Sequence, residues 1–196
     1  MSKLYHSLFL NNRLFYCLAI IAVLFVIGFF IPIFFNIAKI SLFTISIIAL
    51  IDIVLVYSVK SGFEVKRTLP ERLSNGDDNK ITLELKNNYG FNTHSTIIEE
   101  LPYQFQKRNF TFKQLLKPKL EKLIHYDLHP VKRGEYHFGH INVYVSSPLQ
   151  LATKKYILGT EKKLKCYPSF LRLNDFSIKA VSNDLTSQGN KKIRRV

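Results

Sequence analysis

Residues 14–35 read LFYCLAIIAVLFVIGFFIPIFF, and residues 40–59 read ISLFTISIIALIDIVLVYSV. In the first run 20 of 22 residues are apolar, Gly28 and Pro32 being the exceptions; in the second, 15 of 20 are. A helix needs about 20 such residues, each rising about 1.5 Å, to cross a hydrocarbon core of about 30 Å. Both runs therefore predict transmembrane helices, and the four residues from Asn36 to Lys39 predict a tight antiparallel connection. A cleaved signal peptide has an apolar region of only about 7–15 residues, ending in small side chains. This run is longer and ends in Phe and Ile. A lipoprotein cysteine fits no better, because Phe15 and Tyr16 precede Cys17 and the apolar run continues past it. Pro32 falls in the last turn of the first predicted span, where an early stop is tolerated.

The two runs resolve a conflict in the composition. The chain has 196 residues and is 47% hydrophobic, yet carries 28 Lys and Arg against 14 Asp and Glu, a formal net charge of +14. The apolar residues are concentrated in the hairpin, and what remains has the composition of a soluble domain. A purely soluble protein, an acidic disordered chain and a disulfide scaffold are excluded; Cys17 and Cys166 are the only cysteines. Orientation follows from Lys and Arg near the span ends. Lys3 and Arg13 precede the first span, only Lys39 lies in the connection, and Lys60, Lys66, Arg67 and Arg72 follow the second. Residues 1–13 are then a cytoplasmic tail, 14–59 the hairpin, and both termini face the cytoplasm. Asp52 is an ionisable group inside the second span, which marks a proton path, a helix–helix contact, or a side chain that packs against a polar neighbour or snorkels to the near interface.

From Phe63 onward the pattern changes to alternation, the signature of half-buried strands. Phe63, Val65 and Leu69 alternate with Glu64, Lys66 and Thr68, and Ile81, Leu83 and Leu85 with Thr82, Glu84 and Lys86. Asn75-Gly76-Asp77-Asp78 and Asn87-Asn88-Tyr89-Gly90 are turn clusters. Further strands are predicted over 93–101, 110–116, 119–128, 136–145, 153–158 and 162–167. Such spacing predicts an all-β, antiparallel, immunoglobulin-like β-sandwich over 60–173, with a mixed α+β domain as the alternative. Residues 174–196 lack apolar periodicity and end in Lys191, Lys192, Arg194 and Arg195, the composition of a basic linker or tail.

Chemistry-bearing residues are sparse. His125, His129, His137 and His140 fall close together in sequence, and Asp127 shares a strand face with the first two. Imidazole and carboxylate ligate divalent metals, but positions i and i+4 of a strand stand about 13 Å apart. The expectation is a solvated face, with Leu120, Ile124, Tyr126 and Leu128 on the buried side. No nucleophile motif, P-loop or dinucleotide fingerprint occurs, so no enzyme activity, cofactor or metal is expected. Nucleic acid is a weak expectation, because the cations are dispersed and no binding motif accompanies them. Attraction of juxtamembrane cations to anionic lipid headgroups explains the charge more simply, with Lys191, Lys192, Arg194 and Arg195 as candidate contacts.

Four blocks after the hairpin resemble the domain-of-unknown-function 58 family. They are Arg67-Thr68-Leu69-Pro70-Glu71-Arg72-Leu73-Ser74-Asn75-Gly76-Asp77, Pro130 through Gly139, Ser146-Ser147-Pro148-Leu149-Gln150-Leu151, and Cys166-Tyr167-Pro168. The second is similar to that family's "RG-aromatic-x-G" hairpin and the third to its "(D/S)P-x-G-L" turn, with Gln150 where Gly usually stands. Gly189 with Arg194-Arg195 matches the family's "G…RR" segment, after which members continue into a von Willebrand factor A-like region. The only D-x-S here, Asp175-Phe176-Ser177, lacks that region's metal-site pattern, so the expectation is a truncated or split version. The resemblance implies a membrane-bound adaptor working with a MoxR-type AAA+ ATPase or a von Willebrand A-like protein. Arg133, Gly134, Tyr136, Phe138 and Gly139 are read either as a shaped interaction hairpin or as a purely structural turn, the structural reading being favoured.

Overall fold

The computed structural model of the protein describes residues 7–108 and 110–169. Lys3, the Asp175–Ser177 segment and the basic tail with Lys191, Lys192, Arg194 and Arg195 lie outside the described residues. Two apolar helices, α1 (Asn12–Phe30) and α2 (Pro32–Tyr57), precede an otherwise β-structured chain. Both are long and apolar enough to cross a membrane.

The helix break is at Ile31, not at Asn36–Lys39. Proline disfavours the helical region for the residue before it and is well suited to the first helical position. Ile31 accordingly sits extended at φ −127° and ψ 105°, and Pro32 opens α2 instead of closing α1. Nothing between Asn36 and Lys39 interrupts a helix, so those residues continue α2. Gly28 lets the helices approach closely beside this corner: a Cβ there would stand 2.7 Å from the Phe35 backbone nitrogen. Lys39 is thus a helical residue whose ammonium turns back over the Phe35 ring, 4.4 Å from its centroid, toward the corner.

Among the described residues the sandwich has eleven strands: β1 (Leu8–Leu10), β2 (Phe63–Thr68), β3 (Leu73–Asn75), β4 (Asn79–Asn87), β5 (Thr93–Glu99), β6 (Phe110–Leu116), β7 (Glu121–Leu128), β8 (Gly134–Phe138), β9 (Ile141–Ser146), β10 (Ala152–Leu158) and β11 (Lys162–Pro168). One sheet runs β1-β10-β9-β5-β6; two smaller ones run β2-β4-β7 and β3-β11-β8. All pairings are antiparallel except β3 with β11. Inward-facing side chains from all three sheets, among them Phe63, Leu83, Ile97, Tyr136, Val143 and Leu164, form one core cluster. Two sequence expectations change. The strand predicted over 136–145 is two strands in different sheets, split at Gly139-His140. The 1–13 tail contains β1, whose Phe9 pairs with Thr153, so the segment before α1 belongs to the sandwich.

Alternation also turns two charges inward. Arg67 shares the parity of Phe63 and Val65, and Glu99 that of Ile97. Their side chains meet at 3.1 Å and are almost fully enclosed. Arg67 Nη2 also donates to the carbonyls of Gly139 and Thr160, each at 3.0 Å, and its guanidinium lies 5.2 Å from the Phe138 ring centroid. Tyr126 donates its hydroxyl proton to the other Glu99 oxygen. Burial holds the Glu99 carboxyl above its ordinary range, while Tyr126 and Arg67 pull against that shift. Burial likewise pushes the Tyr126 hydroxyl upward.

Breaking a buried pair by removing one partner costs about 3–5 kcal/mol. Arg67→Met should therefore lower the melting temperature of the full chain strongly at neutral pH. Without Arg67 the Glu99 value rises further. The benefit of its protonated form is complete below the unfolded-state value near 4.5 and fades as pH climbs through the raised folded value. The variant should thus regain stability relative to the parent as pH is lowered; a deficit independent of pH would refute this account.

Candidate functional site: the seat of the hairpin

At about 1.5 Å per residue, the 19 residues of α1 span about 28 Å and the 26 of α2 about 39 Å. Because the helices start from a common corner, the last two turns of α2 run past the first turn of α1. Asp52 lies in that overhang, level with Asn11 and fully buried. Its carboxylate accepts the Ser147 hydroxyl, the Leu151 amide at 3.1 Å and the Ala152 amide at 2.8 Å. A buried carboxylate needs such donors to offset lost hydration. Asp52 therefore acts as a helix-to-sandwich contact, the packed alternative among the three readings of this residue.

The turn that meets Asp52 is the Ser146–Leu151 block. Gln150 occupies the left-handed region at φ 57°, a conformation that favours glycine, and its amide closes the turn on the Ser147 carbonyl at 3.2 Å. Asn11 ties in the other helix: its Nδ2 donates to the Gln150 carbonyl, its backbone amide to Leu151, and its Oδ1 accepts the Thr153 hydroxyl.

A second set of contacts holds the end of α2. The Tyr89 hydroxyl donates to the Val56 carbonyl at 2.7 Å and pairs with the Tyr156 hydroxyl at 2.6 Å. The Val56 carbonyl is one of the four that a helix C-terminus leaves without an internal partner. Gly62 leaves room for the ring, since a Cβ there would stand 2.2 Å from it. Burial and the Tyr156 hydroxyl push the Tyr89 titration upward, which keeps it a donor. Lys154 donates to the Val59 carbonyl at 3.2 Å with its ammonium over the Tyr57 and Tyr156 rings, a favourable place for a cation.

The other sequence-derived candidates are placed differently. Of the Arg133–Gly139 candidates, Arg133 and Gly134 are exposed and Gly139 is half-buried. Tyr136 and Phe138 lie on β8 and point into the core, each 1% exposed. Gly134 takes φ 131°, and a Cβ on Gly139 would meet Glu100 Oε2 at 2.5 Å. The motif is architectural, because period-2 alternation turns both aromatics inward. Among the described residues no three or more His, Cys, Asp or Glu converge as a metal site. His125 faces Thr82, His129 pairs with Asp78 at 3.1 Å, and His140 lies 3.4 Å from Glu161. Ile124, Tyr126 and Leu128 are buried as expected, but Leu120 is exposed in the turn before β7.

No protein-family model matches the chain, and no curated protein sequence does. Solved structures resemble its β part. The CARDB domain of a Pyrococcus furiosus protein, solved with a di-metal ion pair, is 14% identical, with a TM-score of 0.39, over 54% of this chain and 87% of that one. A PapD-like domain of human CEP192 is 15% identical, with a TM-score of 0.40, over 56% and 87%. A Listeria innocua β-glucosidase is 14% identical, with a TM-score of 0.36, over 55% of this chain but 16% of its own.

Asp52→Leu strands the Ser147 hydroxyl and two amides, at about 1–3 kcal/mol for each unsatisfied group. Amide exchange at Leu151 and Ala152 should accelerate strongly in this variant, and less in Asp52→Asn, which keeps an acceptor oxygen. Unchanged exchange in Asp52→Leu would mean that the contact does not seat the hairpin.

Proposed function

We propose that this chain is a membrane-anchored, non-catalytic adaptor. The α1–α2 hairpin crosses a bacterial inner membrane twice, and an immunoglobulin-like sandwich stands on the cytoplasmic face to hold a second protein. The observation carrying this reading is the seating of a lipid-length apolar hairpin on a β domain through buried polar contacts at Asp52, Tyr89 and Lys154. The hairpin's flanks expose Phe29, Phe30, Ile40 and Phe43, side chains that suit acyl chains better than water. Pairing of β1 with β10 holds the segment before α1 beside the sandwich, and Arg13 and Lys60 flank this end of the hairpin. With only Lys39 within reach of the corner at Ile31, against Arg13 and Lys60 here, the cation balance favours this end as the cytoplasmic one. Arg67, counted as a flanking cation from sequence, is enclosed in the sandwich and contributes nothing to orientation.

The resemblance to the domain-of-unknown-function 58 family supplies the partner class: a MoxR-type AAA+ ATPase or a von Willebrand A-like protein. Among the described residues strand β6 ends the five-stranded sheet, a position that suits strand addition by such a partner. The full tagged chain, extracted from membranes in mild detergent, should co-purify one of these two classes. Recovery of neither, under conditions that preserve membrane complexes, overturns the adaptor role.

Topology is read separately. In a Cys17→Ser, Cys166→Ser background, a cysteine at Ile31 should react with an impermeant maleimide in intact spheroplasts, and one at Thr160 only after lysis. The reverse pattern overturns the orientation.

A further inference from the structure

A groove of about 660 Å³ lies on the outer face of the five-stranded sheet, within the range of small-molecule sites. Asn11, Gln150 and Thr153 line it and also belong to the hairpin's seat, so its mouth is level with the first turn of α1. The register orders its floor. One row across the sheet runs Phe9, Thr153, Ser146, His94, Leu115. It is apolar at both ends, and Phe9 and Leu115 are 44% and 58% exposed.

The next row, about 7 Å farther from the hairpin, runs Lys155, Tyr144, Thr96, Lys113. Here cations stand at both ends. Lys155 lies over the Tyr144 ring, 5.7 Å from its centroid, and Lys113 has no ion pair among the described residues. No Asp or Glu lines the groove. Lys113 is the cation of that row that lines the groove, while Lys155 stands past Tyr144 at its far end, so a ligand entering from the membrane side meets an apolar rim first and the Lys113 ammonium one row deeper.

The geometry points to a binding site for an anionic phospholipid headgroup drawn from the bilayer on which the sandwich stands. Lys113 receives the phosphate, Lys155 adds positive charge from beyond Tyr144, His94 offers a ring nitrogen, and Phe9 and Leu115 cover the glycerol and first acyl carbons. This inference rests on the hairpin lying in a bilayer and is independent of the adaptor role.

The chain contains no Trp, so a single introduced Trp is a clean reporter. Leu115→Trp probes the groove and Phe43→Trp the exposed flank of α2. The full chain is reconstituted in phosphatidylcholine vesicles containing an equal, minor fraction of brominated phosphatidylglycerol or brominated phosphatidylcholine. The expected result is quenching of the groove Trp that favours phosphatidylglycerol by roughly fivefold per cation. That preference should disappear when Lys113→Gln and Lys155→Gln are combined, while quenching of the Phe43→Trp reporter is strong and indifferent to headgroup. A groove Trp quenched equally by both lipids overturns the headgroup site and leaves the anchor standing. An unquenched Phe43→Trp overturns the anchor and the site with it. Loss of the preference on adding inorganic phosphate, but not chloride of equal ionic strength, assigns the groove to a free anion and overturns the lipid reading.

Discussion

The carboxylate of Asp52 is the contact on which the arrangement of this protein depends. It is buried where a helix overhang meets a β turn, and it can be satisfied only if Ser147, Leu151 and Ala152 present their donors together. That requirement fixes the turn, including the left-handed Gln150, and the turn fixes where β10 begins. Once β10 is placed, β1 can pair with it, and Asn11 at the end of β1 sets the first residue of α1. A single acceptor thus ties together segments about 40 and 100 residues apart in sequence. Buried acceptors are costly when their donors are lost, so the hairpin and the sandwich do not separate without exposing this cost.

Much of the fold is legible locally. Helix length, the strands flanking Asn75-Gly76 and the alternation along β4, β5 and β7 follow from composition and period, because each is decided within a few residues. The errors are of a different kind. Assigning Pro32 to the end of the first span shifted the corner by about five residues, and with it the level of the first helix that Asp52 faces. With the corner at Ile31, the unequal helix lengths already place Asp52 beyond the start of α1. Proline's preference for the first helical turn was the available signal.

The Arg67–Glu99 pair was readable by the same logic, since both residues sit on the inward phase of their strands. Alternation identifies an inward charge but not its counter-charge, which lies 32 residues away on a strand of a different sheet. Strand β1 had no such signal. Three residues before a helix carry no period, and only pairing with β10 makes them a strand. The Arg133–Gly139 block illustrates the opposite hazard. Glycines beside aromatics look like a recognition loop, yet here they place two rings in a core and let the chain turn sharply beside Glu100.

The basic excess sorts the same way once the side chains are placed. Arg67 neutralises an internal carboxylate, Lys154 sits at the carbonyl end of α2, Lys39 folds back along its helix, and Lys86 pairs with Glu121 at 2.7 Å. Those cations are structural and say nothing about a ligand. What distinguishes Lys113 is that it lines a groove without acids, one pleat deeper than an apolar rim at the hairpin's end, with Lys155 at the far end of the same cross-strand row. Net charge does not separate these two groups, because a lysine bonded to a backbone carbonyl and a lysine facing an empty groove count alike. Register separates them, and it does so because period-2 alternation puts every second side chain of five adjacent strands on one outer face.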